Sequence, residues 1–354
     1  MKKIFSVIFF IKLLNWNFIF PSEKIYAVWY NAYKIDLKDE ISAKKKIDEH
    51  FEKFEKLKIN NIFFLVKDHN GLGYYKTKYM KQACEWDVLD YVIKKSKQKN
   101  IKIHAYLNVF MEGEDFALKH PDYMEIRKNG KKTRWTSPAI KEVRVRILNI
   151  IKEILQNYQI DGIQLDRIRY EGYKDIGFNP HSVNLYTQQY GKSPDPKDPD
   201  FYQFKCDLIS SFVKEAYYLV KNHNKNIIFS CAVFASPTNA KKNHISQQWE
   251  LWVKNGWLDF VVPMSYTSDY DTFYKYLLEN IQTVKNSNTK LIMGIGVYLK
   301  TMTENTLKKQ IEISFNTTTE CVEGVCFFNA FSIFENPKFF NVIKEFNLEN
   351  VSAK

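Results

Sequence analysis

From residue 25 onward the chain alternates short apolar runs with longer stretches at helical spacing, and this alternation constrains the fold more than any other feature. Eight runs read as strands: residues 25–29, 61–66, 101–107, 162–166, 227–233, 260–264, 291–295 and 324–328. Each is short and rich in β-branched and aromatic residues. Between them apolar residues recur at helical intervals, as in Ile47, Phe51, Phe54 and Leu57, or Ile147, Ile150, Ile151, Ile154 and Leu155. A last helix is expected around residues 337–346. Eight strand-then-helix units in 354 residues fit a closed barrel better than an open doubly wound sheet. The expected fold class is α/β, a single-domain (β/α)8 TIM barrel.

Connection lengths are lopsided in the way such a barrel requires. Helix-to-strand links at residues 58–60, 98–100, 157–159 and 255–257 are tight. Strand-to-helix links at 67–85, 109–138 and 167–200 are long, and in a barrel all of them project from the C-terminal face, where active sites are built. The longest ends in GKSPDPKDPD and is expected to cover that face as a lid or small subdomain. An interdomain linker is the alternative for this Pro-rich stretch, but the strand count needs units on both sides of it.

Composition narrows the function classes. Hydrophobic residues make up 45% of the chain, enough for a large core, and aromatic residues 16%, which serve packing or the stacking of sugar rings. The net charge is +12, but the lysines are spread along helical segments, so a nucleic-acid groove is not indicated and only a weak attraction to anionic polymers follows. Five cysteines include Cys231 and Cys326 inside strand-like runs, which favours buried thiols; Cys321 and Cys326 form the one pair considered for a bridge in an oxidising compartment. At the N-terminus Lys2 and Lys3 precede an apolar run from residue 4 to 11, matching a secretory signal. Lys12, Asn15 and Asn17 interrupt that run, which argues against a membrane span. Residues 1–22 are expected to be a signal peptide or N-terminal hydrophobic segment, and 23–348 the barrel. Export to the periplasm, cell envelope or medium is expected; a cytosolic protein with an apolar arm is the alternative.

The densest cluster of chemistry is DGIQLDRIRY, residues 161–170, a buried strand ending in charge. Asp166 stands at the C-terminal strand end, where it reads as a nucleophile or general base with Arg169 beside it, or as half of an ion pair with Arg167 or Arg169. Asp161, at the strand start, reads as a structural turn or cap residue. In the second strand Ile62, Phe64, Val66 and then Asp68 share a face, so Asp68 emerges at the mouth if that face points inward. Asp68 is the leading second carboxylate, with loop ordering as its alternative; Glu112, Glu114, Asp115, Glu171 and Asp175 are rivals. His104, Tyr106 and Asn108 share a face of the third strand, where His104 is a satisfied interior histidine or one that orients a carboxylate. Tyr266 lies just past the sixth strand, and Trp29, Tyr106 and Tyr266 offer stacking surfaces. No P-loop, GxGxxG, HExxH or GxSxG motif occurs, and no cofactor or metal is expected.

These residues carry a family resemblance. AVWYNAY, the run EWDVLDYVIKKSKQKNIKIHAYLNVF, the run TSPAIKEVRVRILNIIKEILQNYQIDGIQLDRIRYEG, GWLDFVVPMSY and GVCFFNA together resemble the glycosyl hydrolase-like 10 family of bacterial secreted proteins and lipoproteins. DGIQLDRIRY is similar to that family's DGIHLDDIRYP-type signature, and VKDHNG to the KDDG-like element of a neighbouring glycoside hydrolase family. The resemblance implies a (β/α)8 barrel acting on polysaccharide, with peptidoglycan glycan strands or another cell-envelope glycan as substrate. The signature falls on Asp161, Gly162, Asp166, Arg169 and Tyr170, and its third-strand element on His104 and Asn108. Glu171 replaces the usual Pro after RY, and Met264, followed by Ser265 and Tyr266, departs from the sixth-strand pattern. The expected site is therefore Asp166 and Asp68 as catalytic carboxylates, with Arg169, Tyr170, Asn108, His104, Tyr266 and Trp29 binding substrate. The function expected is glycoside hydrolysis, with a non-catalytic carbohydrate-binding barrel as the alternative. The partner is a polysaccharide or oligosaccharide, with no nucleic acid and no stable membrane span in the mature chain.

Overall fold

Eight parallel strands close on themselves in this computed structural model, which describes residues 24–316 and 321–352; the segment expected to direct export lies outside them. The strands are β1 Ile25–Tyr30, β2 Asn61–Lys67, β3 Lys102–Asn108, β4 Gly162–Asp166, β5 Ile228–Phe234, β6 Phe260–Met264, β7 Lys290–Ile295 and β8 Val322–Phe327. Each pairs with the next, and β8 pairs with β1, so no edge is left in the barrel. The helices that follow the strands are α1 Glu40–Lys56, α2 Val88–Gln98, α3 Lys141–Asn157, α4 Pro199–His223, α5 Trp249–Lys254, α6 Tyr270–Val284, α7 Glu304–Phe315 and α8 Pro337–Ser352. This is the (β/α)8 TIM barrel expected from the alternation.

Local chemistry sets the element ends. Asp39, Asp87, Asp198, Asp269 and Thr303 cap helix N-termini by accepting from backbone N–H groups that have no intrahelical partner. The tight returns to β2, β3 and β6 turn on Lys58, Asn100 and Gly256, whose φ angles of 55°, 53° and 67° are left-handed. At the N-terminal rim Asp161 Oδ2 accepts from Ile103 N at 2.8 Å, which joins β4 to β3 and gives Asp161 its structural role.

The two faces of each strand separate cleanly. Ile62, Phe64 and Val66 belong to the outer cluster under the helices, whereas Phe63 and Leu65 point into the barrel with Trp29, Tyr106, Ala232, Val262, Ile292 and Cys326. The face assumed to lead inward to Asp68 is thus the outward one. Pairing registers stack the interior in tiers, with His104 opposite Gly162, Tyr106 opposite Gln164, and Asn108 opposite Asp166 at the top.

Two long loops build a wall beside the mouth. The loop after β3 contains a two-stranded antiparallel ribbon, Met124–Ile126 with Lys132–Thr136, that periodicity did not reveal. The loop after β4 carries a helix, Pro180–Tyr190, whose Tyr186 packs with Phe201 and Phe204 of α4 in a satellite core. Single bridges tie Met111 to Trp135 and Arg127 to Ile176. The segment after β4 is accordingly a packed small subdomain. All five cysteines, Cys321 and Cys326 included, are free thiols. Among the described residues no helix is long and apolar enough to cross a membrane.

Candidate functional site

Asp166 is the last residue of β4, half-buried at the barrel mouth. Directly after it the chain turns through Arg167, whose φ of 50° is left-handed, and Arg167 N donates to Asp166 Oδ1 at 2.6 Å. A non-glycine residue in that conformation is strained, and such strain collects where backbone must aim a functional group.

Around it stand groups suited to a polyhydroxylated ligand. Asn108, the register neighbour of Asp166, has a buried Oδ1 without a hydrogen-bond partner. Tyr106 donates to Asn31 Oδ1, just past the end of β1. Tyr266 has a buried hydroxyl with no partner. Burial, and then the charge of Asp166 among others, pushes both phenols well above their ordinary range, so they remain donors. The rings of Tyr266, Tyr298 and Phe328 pack at 5.4 to 5.7 Å from one another, and Tyr298 is 48% exposed, so this rim presents aromatic surface.

A cavity of about 410 Å³ opens beside the mouth, lined by Trp135, Arg167, Arg169, Glu171, Tyr173 and Phe234 among others. Arg169 lies over the Trp135 ring at 4.6 Å and the Phe234 ring at 5.3 Å. Burial first and the charge of Arg167 second lower its guanidinium to about 10, while Asp166 and Glu171 pull it back up. One cation therefore feels both carboxylates. Glu171 is raised above 4.5 by burial, against the opposing pull of Arg169, Arg127 and Lys131. It is the carboxyl that lines this cavity.

Of the residues expected to act, the structure brings Asp166, Asn108, Tyr266 and Arg169 together and removes four. Asp68 is 2% exposed, its Oδ1 accepting from Asn70 N at 2.8 Å and Leu72 N at 2.9 Å and its Oδ2 from Tyr74 OH at 3.2 Å; it orders the β2 loop. His104 lies two tiers below, paired through Nε2 with Asn61 Oδ1 at 2.9 Å and lowered to about 3 by burial, which keeps it neutral and out of substrate reach. Trp29 is 1% exposed, donates from Nε1 to Gln164 Oε1 at 2.7 Å, and fills the barrel under the mouth rather than stacking on a sugar. Tyr170, 1% exposed, is a core residue beneath the mouth loop. Of the rivals, Glu112 is fully buried between Lys67 at 3.1 Å and Arg146 at 2.6 Å, and Asp175 pairs with Arg127 at 2.9 Å. Asn31, Tyr298 and Phe328 were missed, although each lies at or just past a strand end, the position that drew attention to Asp166. Trp135 had no such signal, because it sits on the ribbon.

Comparison with known proteins fits this geometry. The profile of the family described as Glycosyl hydrolase-like 10 matches residues 24–312. Among similar proteins, glycosyl hydrolase YngK of Bacillus subtilis is 22% identical, covering 88% of this chain and 69% of its own. Glycosyl hydrolase DigH of Escherichia coli is 20% identical, and the alignment covers 71% of this chain but 65% of DigH, just under two thirds of its length. The glycoside hydrolase domain of PgaB (BpsB) from Bordetella bronchiseptica superimposes with a TM-score of 0.72 at 14% identity, covering 91% of this chain and 98% of that domain. Alpha-L-fucosidase isoenzyme 2 from Paenibacillus thiaminolyticus gives 0.67 at 11% identity, covering 91% of this chain and 48% of that one. At those identities the likeness is one of fold.

Proposed function

The chain belongs to the glycosyl hydrolase-like 10 family, and from that premise we propose that it hydrolyses a glycosidic bond in a cell-envelope glycan, with Asp166 as one catalytic carboxylate and Glu171 as its acid partner. The observation that carries the reading is the place of Asp166 at the strand end in the mouth, beside a cavity lined by Glu171 and by Arg169, which feels the charge of both. Asp166 stands at a strand end in the mouth with a backbone donor on it, and Glu171 is held toward protonation in the adjoining cavity. Glycoside hydrolysis needs such a division, one carboxyl to protonate the leaving oxygen and one to attack or to activate water. Arg169 feels the charge of Asp166 and of Glu171 alike. Tyr266 OH and Asn108 Oδ1 offer a free donor and a free acceptor to sugar hydroxyls. Peptidoglycan glycan strands are the substrate to try first, a choice supported by the signal-like pattern of Lys2, Lys3 and the apolar run behind them.

The test is release of reducing ends from purified glycan strands. Asp166→Asn is expected to lower kcat by about a thousandfold or more while leaving thermal unfolding within a degree or two of the parent. Glu171→Gln is expected to remove the alkaline limb of the kcat/KM profile, because a general acid raised above 4.5 is active below its own value and lost as pH rises through it. Full turnover in Asp166→Asn rejects the assignment. Glycan affinity with no product in the parent protein points instead to a carbohydrate-binding barrel.

A further inference from the structure

Resting on the reading just given, we propose that the cavity beside the mouth is a subsite for an anionic substituent of the glycan, a carboxylate or a sulfate or phosphate ester, gripped by Arg167 and Arg169 above the Trp135 ring. Two guanidinium groups face one cavity, at 5.9 Å and 4.6 Å from that ring. Each Nε is buried without a hydrogen-bond partner. Neither arginine forms an ion pair among the described residues, whereas Arg127, Arg144 and Arg146 are bound to Asp175, Glu215 and Glu112. Arg169 donates from Nη1 to Tyr170 O at 3.2 Å and lines the cavity with its side chain.

Such an arrangement is costly by itself. Like charges repel, and buried donors without acceptors lose their water with nothing in return. Binding an oxyanion reverses both terms, and the planar guanidinium fork matches a carboxylate or a sulfate oxygen pair. Glu171, the acid lining the same cavity, forms no ion pair with either arginine among the described residues. Tyr173, 43% exposed, supplies an aromatic wall for the sugar that bears the charge, and Trp135 backs the guanidinium groups. Lys131 and Lys132 line a second cavity of about 290 Å³ that shares Trp135 and Glu171 with the first, so the basic lining continues outward along a chain of sugars.

Isothermal titration of the full chain with three hexasaccharides tests this. Hyaluronan is charged by carboxylate alone, its carboxyl-reduced form is neutral, and O-sulfated chitohexaose is charged by sulfate alone. At 0.15 M salt, a charged hexasaccharide is expected to bind about tenfold or more tightly than the neutral one, tenfold being about 1.4 kcal/mol. Which charged form is preferred identifies the substituent. Arg167→Gln and Arg169→Gln are each expected to bring that preference to within about twofold, and Lys56→Gln, on the exposed far end of α1, to keep it. If Arg169→Gln does not fold, Arg167→Gln and Arg169→Lys carry the test, the lysine retaining the charge but losing the fork. Equal affinity for charged and neutral sugars overturns the subsite and leaves the glycosidase reading standing. A preference that survives both arginine variants overturns it in favour of diffuse attraction to the basic surface. Absence of binding to all three, together with no release of reducing ends from glycan strands, overturns both.

Discussion

A β-carbon added to Gly162 would lie 2.1 Å from His104 Nδ1, and strand pairing at this tier leaves the ring little room to withdraw. Gly162→Ala is therefore expected to destabilise the barrel by about 1–3 kcal/mol in urea unfolding, the usual cost of overpacking a core. Adding His104→Ala should recover part of that loss, a coupling a double-mutant cycle will register; strict additivity would mean the two residues do not meet. The same pair shows how far single residues are readable. DGIQLD marks a strand ending in a carboxylate, which is a local property. That His104 occupies the space of a missing side chain, and that Trp29 donates to Gln164 across the barrel at 2.7 Å, depends on residues 58 and 135 positions apart in sequence, so no window along the chain contains it. Asp68 lies buried in its loop, away from the expected position, for a related reason. Alternation along β2 was right, but which of its two faces looks inward is decided by closure of the sheet.

At the scale of elements, the wall beside the mouth is held by a buried acid and base. Glu125 lies on the ribbon after β3, fully buried, and burial raises its carboxyl to about 7 against the pull of Ser137 and Lys205. Lys205 on α4 is lowered by burial to about 8 and donates to Ile176 O at 3.2 Å, a carbonyl of the loop after β4. Because the folded value of Glu125 lies above its unfolded value near 4.5, its contribution is complete below pH 4.5 and is lost as pH rises through about 7. That loss amounts to about 3 kcal/mol at most, felt by the ribbon and the loop it supports. Hydrogen exchange of residues 124–136 should quicken between pH 5 and 8 more than base catalysis of exchange explains, and Glu125→Gln should remove the excess. An unchanged excess in the variant would show that another group governs it. The ribbon was invisible beforehand because its strands are three and five residues long and partly exposed, too short for a periodicity to register.

For the whole molecule, closure is the organising event. Lys24 Nζ donates to Val322 O at 2.8 Å and β1 pairs with both β8 and β2, so the barrel is an intact unit from Lys24 onward. A chain beginning at Glu23 is expected to melt in one cooperative transition, within a few degrees of the full chain; a broad or two-step melt would mean that the first 22 residues belong to the fold. Fold class was legible because it rests on order and count: eight strand-then-helix units with short returns admit few closed solutions, and helical and strand periods are written locally by burial on one face. Position along the chain likewise singled out Asp166, since a strand end needs no knowledge of its neighbours. Its partners were a different matter. The burial of Asp68 in its loop, the raised carboxyl of Glu171 and the gathering of Arg167, Arg169 and Trp135 around one cavity were decided only in three dimensions, because desolvation and Coulomb interaction act through distances that the chain acquires when the barrel closes.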